Sequence, residues 1–163
     1  MSDPNLQNFI DLSAVLTGLA ADLLAPSVDP INLPPLFFTT AQQGMGTAAF
    51  SNLLDLYASI ESQQPAQIAS AVLGNSNPQI AQGARSIMKL WLLGSWYQPY
   101  DQDNAHTGDT LVVSDQAYKE SWAWKIAQSH PMGYSQYHFG YWAEQPPTLK
   151  QFTGVDAKEG QQP

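Results

Sequence analysis

The sequence predicts a mostly α-helical protein: a single-domain bundle of about five helices, with a long proline-rich connection and an extended aromatic C-terminal segment. Apolar residues recur three and four positions apart in several stretches, which is the period of one helix face. Four prolines fall within Pro26–Pro35 and exclude a regular helix or a central strand there. Five aromatic residues lie within the nine positions that start at Tyr134, and they follow no helical or strand period.

The length of the chain fits one domain. At 163 residues the chain is long enough to bury a core. We expect a helical domain over residues 1–150, which includes the aromatic segment, and a flexible tail over residues 151–163.

The first half of the chain predicts two helices, one before and one after the proline-rich connection. Asp3-Pro4 is a typical helix start, and the apolar stripe after it ends before Pro26, with a break near Thr17-Gly18. The connection over Pro26–Pro35 is expected to lie extended across the fold. Thr39-Thr40 is then expected to cap a second helix, with an apolar line through Ala49, Phe50, Leu53, Leu54, Tyr57 and Ile60.

Two further helices follow, each opened by a proline. Pro65 predicts a short third helix that ends at Gly74–Asn77. Pro78 takes the first position of a fourth helix, with Asn77 as its cap. Apolar residues lie on more than one side of this fourth helix, so we expect it to be central and buried. They are Ile80, Ala84, Ile87, Met88, Leu90, Trp91, Leu92 and Leu93, and Ser95 continues the stripe.

The last third of the chain predicts little regular structure. Gln98–Asp109 is polar and predicts a loop. Leu111–Val113 fits either a strand or an extended lead-in. Ser114-Asp115 predicts a capped short helix that carries Tyr118 and Trp122 on one face, with Trp124 off that face.

The charges exclude several classes of partner. The net charge is −8, and the six basic residues form no patch, whereas binding to a phosphate backbone needs clustered cations. The charges therefore argue against nucleic acid and against an anionic lipid surface as partners. No run reaches the roughly 20 apolar residues of a membrane span, and Met1–Gln7 has no Lys or Arg ahead of its apolar residues, so no signal peptide is predicted.

No residues are predicted to form a catalytic, cofactor or metal site. The chain has no cysteine, which excludes thiolate chemistry and disulfides. His106, His130 and His138 lack the spacing of a helical metal site, and Gly44-Met45-Gly46 lacks the third glycine of a dinucleotide-binding loop. Few charges together with many Trp and Tyr residues fit a chain that another subunit partly covers, and composition alone fits a monomer with a polar, uncharged surface equally well.

Four segments, taken together and in order, resemble a known family. They are Phe9–Gly18, Ala84–Trp91 with Gly94, Gln116–Tyr118, and Phe139–Trp142 followed by Pro146. The set resembles the small (gamma) subunits of bacterial FAD-dependent sugar and polyol dehydrogenases, which belong to the fructose, glucose, sorbitol and gluconate dehydrogenase complexes. The resemblance extends over most of the chain.

The resemblance implies a non-catalytic, largely helical accessory subunit. Such a subunit binds a large flavoprotein of the glucose–methanol–choline type and supports its folding and flavin loading, so FAD is expected in the partner and no cofactor in this chain. A haem-bearing electron-transfer subunit often completes the complex. The family implies the periplasm, but the family's twin-arginine leader is absent from this chain, so the cytoplasm stays open.

The aromatic residues after the fourth helix are the predicted partner interface. They form two groups, one directly after that helix and one in the C-terminal segment with its proline pair: Trp96, Tyr97, Tyr137, His138, Phe139, Tyr141, Trp142, Pro146 and Pro147. Buried Trp anchors typically contribute over ~2 kcal/mol at an interface. We therefore expect Trp142→Ala to weaken the complex and to leave the lone subunit folded.

A second hypothesis uses the same rings differently. Trp and Tyr platforms with few charges also suit stacking on sugars. The alternative is a free-standing helical carbohydrate-binding or small catalytic domain. Sugar binding by the lone chain, followed by Trp fluorescence, separates the two hypotheses.

Overall fold

Helices make up most of the part of the chain that the structure describes, which confirms the predicted fold class. A computed structural model describes residues 4–99, 109–131, 134, 148, 150, 151 and 154. The helices are α1 (Pro4–Thr17), α2 (Ala21–Leu24), α3 (Leu33–Met45), α4 (Thr47–Ile60), α5 (Pro65–Leu73), α6 (Pro78–Leu93), α7 (Asp115–Lys119) and α8 (Trp122–Ile126). The strands are β1 (Ser95–Tyr97) and β2 (Thr110–Val112).

The described ranges hold eight helices rather than about five, because two glycines divide longer helical stretches and the short helix after Ser114 is followed by a separate helix, α8. Gly18 has a φ of +72° and separates α1 from α2, which confirms the predicted break. Gly46 has a φ of +80° and separates α3 from α4 with no other residue between them. Both φ values lie in the region that glycine adopts without steric cost.

The prediction for the proline-rich connection is wrong at its C-terminal end. Leu33, Pro34 and Pro35 form the first turn of α3, where a missing backbone N–H is tolerated. The Asp29 carboxylate accepts hydrogen bonds from the backbone N–H groups of Ile31, Asn32 and Leu33, at 3.0, 2.9 and 2.8 Å. Asp29 thereby satisfies the backbone N–H groups that have no partner within the helix at the start of α3. The prolines alone do not predict that a helix starts here.

The prediction that Thr39-Thr40 caps a helix is wrong. Both threonines lie inside α3. The Thr40 hydroxyl donates to the Leu36 carbonyl at 2.8 Å, within the helix. A Thr hydroxyl inside a helix can bond in this way to the carbonyl four residues earlier. The cap prediction failed because the helix begins before the threonines.

The predicted central role of the fourth helix is confirmed in α6. This helix contacts α1, α3, α4, α5 and α8 as well as β1. The Asn77 side chain accepts from the Gln79 N–H at 3.0 Å, as a cap does, and Gly94 ends the helix with a φ of +65°. Its fully buried residues include Ala84, Ile87 and Leu90.

Aromatic rings fill the centre of the core around Trp91. Trp91 is 1% exposed and meets Phe37 edge to face, with ring centroids 4.8 Å apart. Phe9 lies 6.3 Å from Trp91 and 6.0 Å from Phe50, so rings from α1, α3, α4 and α6 form one cluster. Edge-to-face and tilted pairs at these separations are the favoured geometries.

The two strands pair antiparallel directly after α6. The register sets Ser95 opposite Val112, Trp96 opposite Leu111 and Tyr97 opposite Thr110. The strand alternative for Leu111–Val113 is therefore correct for Leu111 and Val112, whereas the strand begins at Thr110 and does not include Val113. The sequence does not predict β1, because Ser95 fits the buried stripe of the preceding helix.

The short helix after Ser114 is confirmed, but its aromatic pairing is different from the prediction. The Ser114 hydroxyl accepts from the Ala117 N–H at 3.0 Å. The helix ends at Lys119, so Trp122 begins α8 and lies in the core at 9% exposure. Trp124 instead packs edge to face on Tyr118 at 5.5 Å and donates from its indole nitrogen to the Tyr118 carbonyl.

No helix in the described ranges is long and apolar enough to cross a membrane.

Candidate partner-binding surface

Two of the predicted interface residues lie within the described part of the chain, on β1. Trp96 is 4% exposed and belongs to the hydrophobic core, so the prediction that it grips a partner does not fit its position. Tyr97 is partly exposed and stays a candidate. The other predicted interface residues lie outside the described residues: Tyr137, His138, Phe139, Tyr141, Trp142, Pro146 and Pro147.

Trp96 packs against α3, and a glycine in α3 makes the room for its ring. Gly44 faces the Trp96 ring so closely that any Cβ at position 44 would overlap it. The Trp96 indole nitrogen donates to the Gln98 side-chain oxygen at 3.1 Å, and the Gln98 amide nitrogen donates to the Gly44 carbonyl at 3.0 Å. The Trp96 ring therefore packs on Gly44, and its N–H has an acceptor within the same chain.

A surface cleft of about 440 Å³ runs beside this contact. Residues from the end of α3 form one wall, and β1, β2 and Asp109 form the other. Leu111 lines the cleft together with Trp96, as expected for residues directly opposite each other in an antiparallel pair. The cleft lies within the size range of small-ligand sites.

The most exposed apolar residues near the predicted interface are on β2. Leu111 is 64% exposed and Val112 is 54% exposed. We call these two residues the β2 patch. Their register partners on β1 are Trp96 and Ser95, so the two side chains of the β2 patch project from opposite faces of the sheet. No motif in the sequence marks either residue as part of a functional site.

Tyr97 is the last residue of β1, and its ring lies beside a lysine. The Lys89 ammonium lies 4.5 Å from the centroid of the Tyr97 ring, a cation–π contact. The Ser86 hydroxyl donates to the Tyr97 carbonyl, which fixes the strand against α6. Tyr97 is thus anchored through its backbone while its ring stays partly open to solvent.

A second groove, of about 450 Å³, lies beside α7 and α8. Trp124, Tyr134 and His130 line it with Gln116, Lys119, Lys125 and Ser129. The Tyr134 hydroxyl donates to an Asp115 carboxylate oxygen at 3.1 Å, and the Lys119 ammonium lies 3.8 Å from the centroid of the Tyr134 ring. Tyr134 thus brings the start of the aromatic segment onto α7.

Electrostatics in this groove centre on Asp115 and Lys119, whose charged atoms are 2.6 Å apart. The hydrogen bond from Lys119 lowers the pKa of Asp115, and the bond from Tyr134 lowers it further. The same bond to Asp115 raises the pKa of Lys119. Asp115 is exposed and Lys119 is half-buried, so the pair positions the groove wall more than it stabilises the fold.

Three of the family-like segments meet inside the fold. Phe9 of the first segment and Trp91 of the second belong to the same ring cluster. Gly94 lies against Ala117 of the third segment, and a Cβ at position 94 would come within 2.4 Å of the Ala117 carbonyl oxygen. These residues shape the core and the turn into β1, so their role within this chain is structural. The fourth segment lies outside the described residues.

Among the described residues, no three His, Asp or Glu side chains are grouped as a metal site requires.

Comparisons with family models, curated proteins and solved structures find no match to this chain. The family resemblance therefore rests on its four segments alone.

Proposed function

We propose that this chain is a non-catalytic accessory subunit of an FAD-dependent sugar or polyol dehydrogenase. It binds a large flavoprotein subunit of the glucose–methanol–choline type and supports the folding and flavin loading of that partner. The flavin belongs to the large subunit, and a haem-bearing subunit accepts the electrons. The complex works in the periplasm, with the cytoplasm as the alternative. The resemblance of the four segments is the basis of this proposal.

The observation that carries the proposed binding role is the β2 patch beside the predicted interface. Two large apolar side chains, Leu111 and Val112, are more than half exposed. Val112 lies on the same face of the sheet as Tyr97, the described member of the predicted interface that keeps an exposed face, and Leu111 lies on the opposite face with Trp96. Burying such side chains against a partner gains roughly 1.5–3 kcal/mol each. The β2 patch takes the place of Trp96 in the proposed interface.

The experiment is affinity purification of the tagged chain from its source organism. We expect a larger protein with flavin absorbance to co-purify, and sugar-dependent reduction of an artificial electron acceptor to require both proteins. The chain alone is expected to show neither flavin nor turnover. Sugar oxidation by the lone chain would contradict the proposal.

A pair of variants locates the interface. The double variant Leu111→Ser with Val112→Ser is expected to lower the yield of the co-purified flavoprotein at least tenfold, because roughly 1.4 kcal/mol changes an equilibrium constant by that factor. Val28→Ser is the control, because Val28 is 81% exposed and belongs to the loop before α3 rather than to either strand. Equal yields from both variants would exclude the β2 patch.

A carbohydrate-binding domain is the second candidate, and the groove beside α7 and α8 favours it. Trp124 and Tyr134 provide rings there, and Gln116, Ser129 and Lys119 provide polar groups. Sugars need this combination of a flat apolar surface and hydrogen-bonding groups. Quenching of Trp fluorescence by glucose, fructose or sorbitol in the lone chain, and its loss in Trp124→Ala, would favour this candidate over the first.

A further inference from the structure

One edge of the two-stranded sheet is accessible to another strand. The only described strand that pairs with β2 is β1, so the other side of β2 pairs with no described strand. The outer side of β1 lies against α6, where the Ser86 hydroxyl donates to the Tyr97 carbonyl. All three residues of β2 are exposed. The edge that another strand can reach is therefore that of β2.

The hydrogen bonds between the strands show which backbone groups face this edge. The Gln98 N–H donates to the Asp109 carbonyl at 2.8 Å, and the Val113 N–H donates to the Gly94 carbonyl at 3.2 Å. Because backbone groups along an antiparallel pair point alternately toward and away from the neighbouring strand, those of Val112 point away from β1. Among the described residues, no hydrogen bond reaches the Val112 N–H or carbonyl.

The sequence of β2 does not protect this edge from pairing. Edge strands of natural proteins are commonly protected by lysine, proline or a β-bulge. β2 consists of Thr, Leu and Val, and its register with β1 contains no bulge. The cleft of about 440 Å³ lies beside the strand, with Leu111 on its wall. Peptide-binding domains use this combination, in which the edge pairs with the peptide backbone and a pocket accepts a side chain.

Size and charge favour a different protein over a second copy of this chain. A strand of three residues is roughly 10 Å long, so two copies paired along β2 alone would bury far less than the roughly 1,200 Å² of a stable interface. Each copy carries a net charge of −8, which opposes the association of two copies. Asp109 is the one charged residue among the described residues that line the cleft, and it favours a basic side chain in the occupant.

We propose that β2 binds an extended segment of the flavoprotein subunit as an additional strand. The segment pairs with the Val112 N–H and carbonyl, places an apolar side chain in the cleft beside Leu111, and carries a basic side chain near Asp109. This inference rests on the proposed accessory function and adds the mode of binding to it. The β2 patch supplies the apolar contact, and the backbone of Val112 fixes the direction and register of the segment.

The test measures amide hydrogen exchange in the full chain, alone and in complex with the flavoprotein that co-purifies with it. In the lone chain the Val112 N–H should exchange fast, whereas the Leu111 N–H, which faces β1, should exchange slowly. In the complex we expect the exchange of the Val112 N–H to slow at least tenfold. Fast exchange at Val112 in the complex would overturn the strand pairing and leave the accessory function in place.

Two variants at position 112 separate the backbone from the side chain. Val112→Pro removes the N–H, and proline is tolerated on an edge strand where its nitrogen faces outward. It should lower the yield of co-purified flavoprotein at least tenfold. Val112→Thr keeps the N–H and the branched shape, so it should lower the yield less than about threefold. Equal losses would overturn the proposal, and if Val112→Pro does not fold, the exchange experiment still decides.

Two further measurements identify the occupant. Light scattering should give the lone chain the mass of a monomer, and a dimer with slow exchange at Val112 would instead assign the edge to a second copy and overturn the proposal. Asp109→Asn should lower the yield of flavoprotein about two- to fivefold at low salt, the effect of an exposed ion pair. An unchanged yield would contradict the basic side chain. If no flavoprotein co-purifies, the accessory function itself fails, and this inference fails with it.

Discussion

Gly18 and Gly94 share a positive φ but differ in what surrounds them. A Cβ at position 18 would meet nothing within 4 Å, whereas one at position 94 would lie 2.4 Å from the Ala117 carbonyl oxygen. We expect Gly18→Ala to cost about 1–2 kcal/mol of unfolding free energy from backbone strain alone. Gly94→Ala should cost about 3–5 kcal/mol, because the clash with α7 adds to that strain. Urea denaturation of both variants measures the difference, and equal costs would place Gly94 away from α7.

Asp115 offers a residue-level test by pH. Lys119 lowers the pKa of Asp115, so the stabilisation is present above the unfolded pKa of roughly 4 and is lost as the pH falls through the folded value. The pKa of Lys119 is raised, so its share is present below roughly 10.4 and is lost as the pH rises further. Carboxyl ¹³C shifts should therefore give Asp115 a pKa below the ordinary range.

Lysine variants show whether the cause of this shift is correct. Lys119→Met should return the pKa of Asp115 toward its ordinary value. Lys125→Met removes a lysine that pairs with Glu120 instead, so it should leave Asp115 unchanged. The assignment fails if the two variants act alike.

At the scale of elements, α3 depends on a single aspartate before it. Asp29 accepts three backbone N–H groups at the start of that helix. We expect Asp29→Ala to cost about 1–2 kcal/mol, the upper range for the loss of a helix cap. Asp55→Ala is the matched control, since it removes the same charge from the exposed face of α4. Thermal unfolding of both variants checks this prediction, and an equal loss would show a general effect of charge.

Elements with local signals could be predicted from the sequence, and elements made by distant contacts could not. The start of α6 is encoded by Asn77 and Pro78, and its burial by apolar residues on several sides. β1 exists because β2 pairs with it, and no residue near Ser95 signals that pairing. For the same reason the burial of Trp96 could not be predicted, because it depends on Gly44 in another helix.

At the scale of the whole molecule, α6 should couple the helices around it into one cooperative unit. Ile87 is fully buried, so Ile87→Ala should cost about 2–5 kcal/mol. Leu93 lies on the same helix but is 37% exposed, so Leu93→Ala should lower the free energy of unfolding by less than about 1 kcal/mol. The far-UV circular dichroism and Trp fluorescence transitions of each variant should coincide. Separate transitions would mean that the helices form more than one folding unit.

The central place of α6 also affects the order in which the chain can fold during synthesis. The ribosome releases α1 to α5 before α6, so the earlier helices emerge without the neighbour that most of them share. Phe9 and Phe50 can already meet in this nascent chain, but Trp91 is not yet present to close their cluster. Nascent chains that expose apolar surface are those that chaperones bind. We therefore expect the first half of this protein to expose apolar surface until Leu93 has left the exit tunnel.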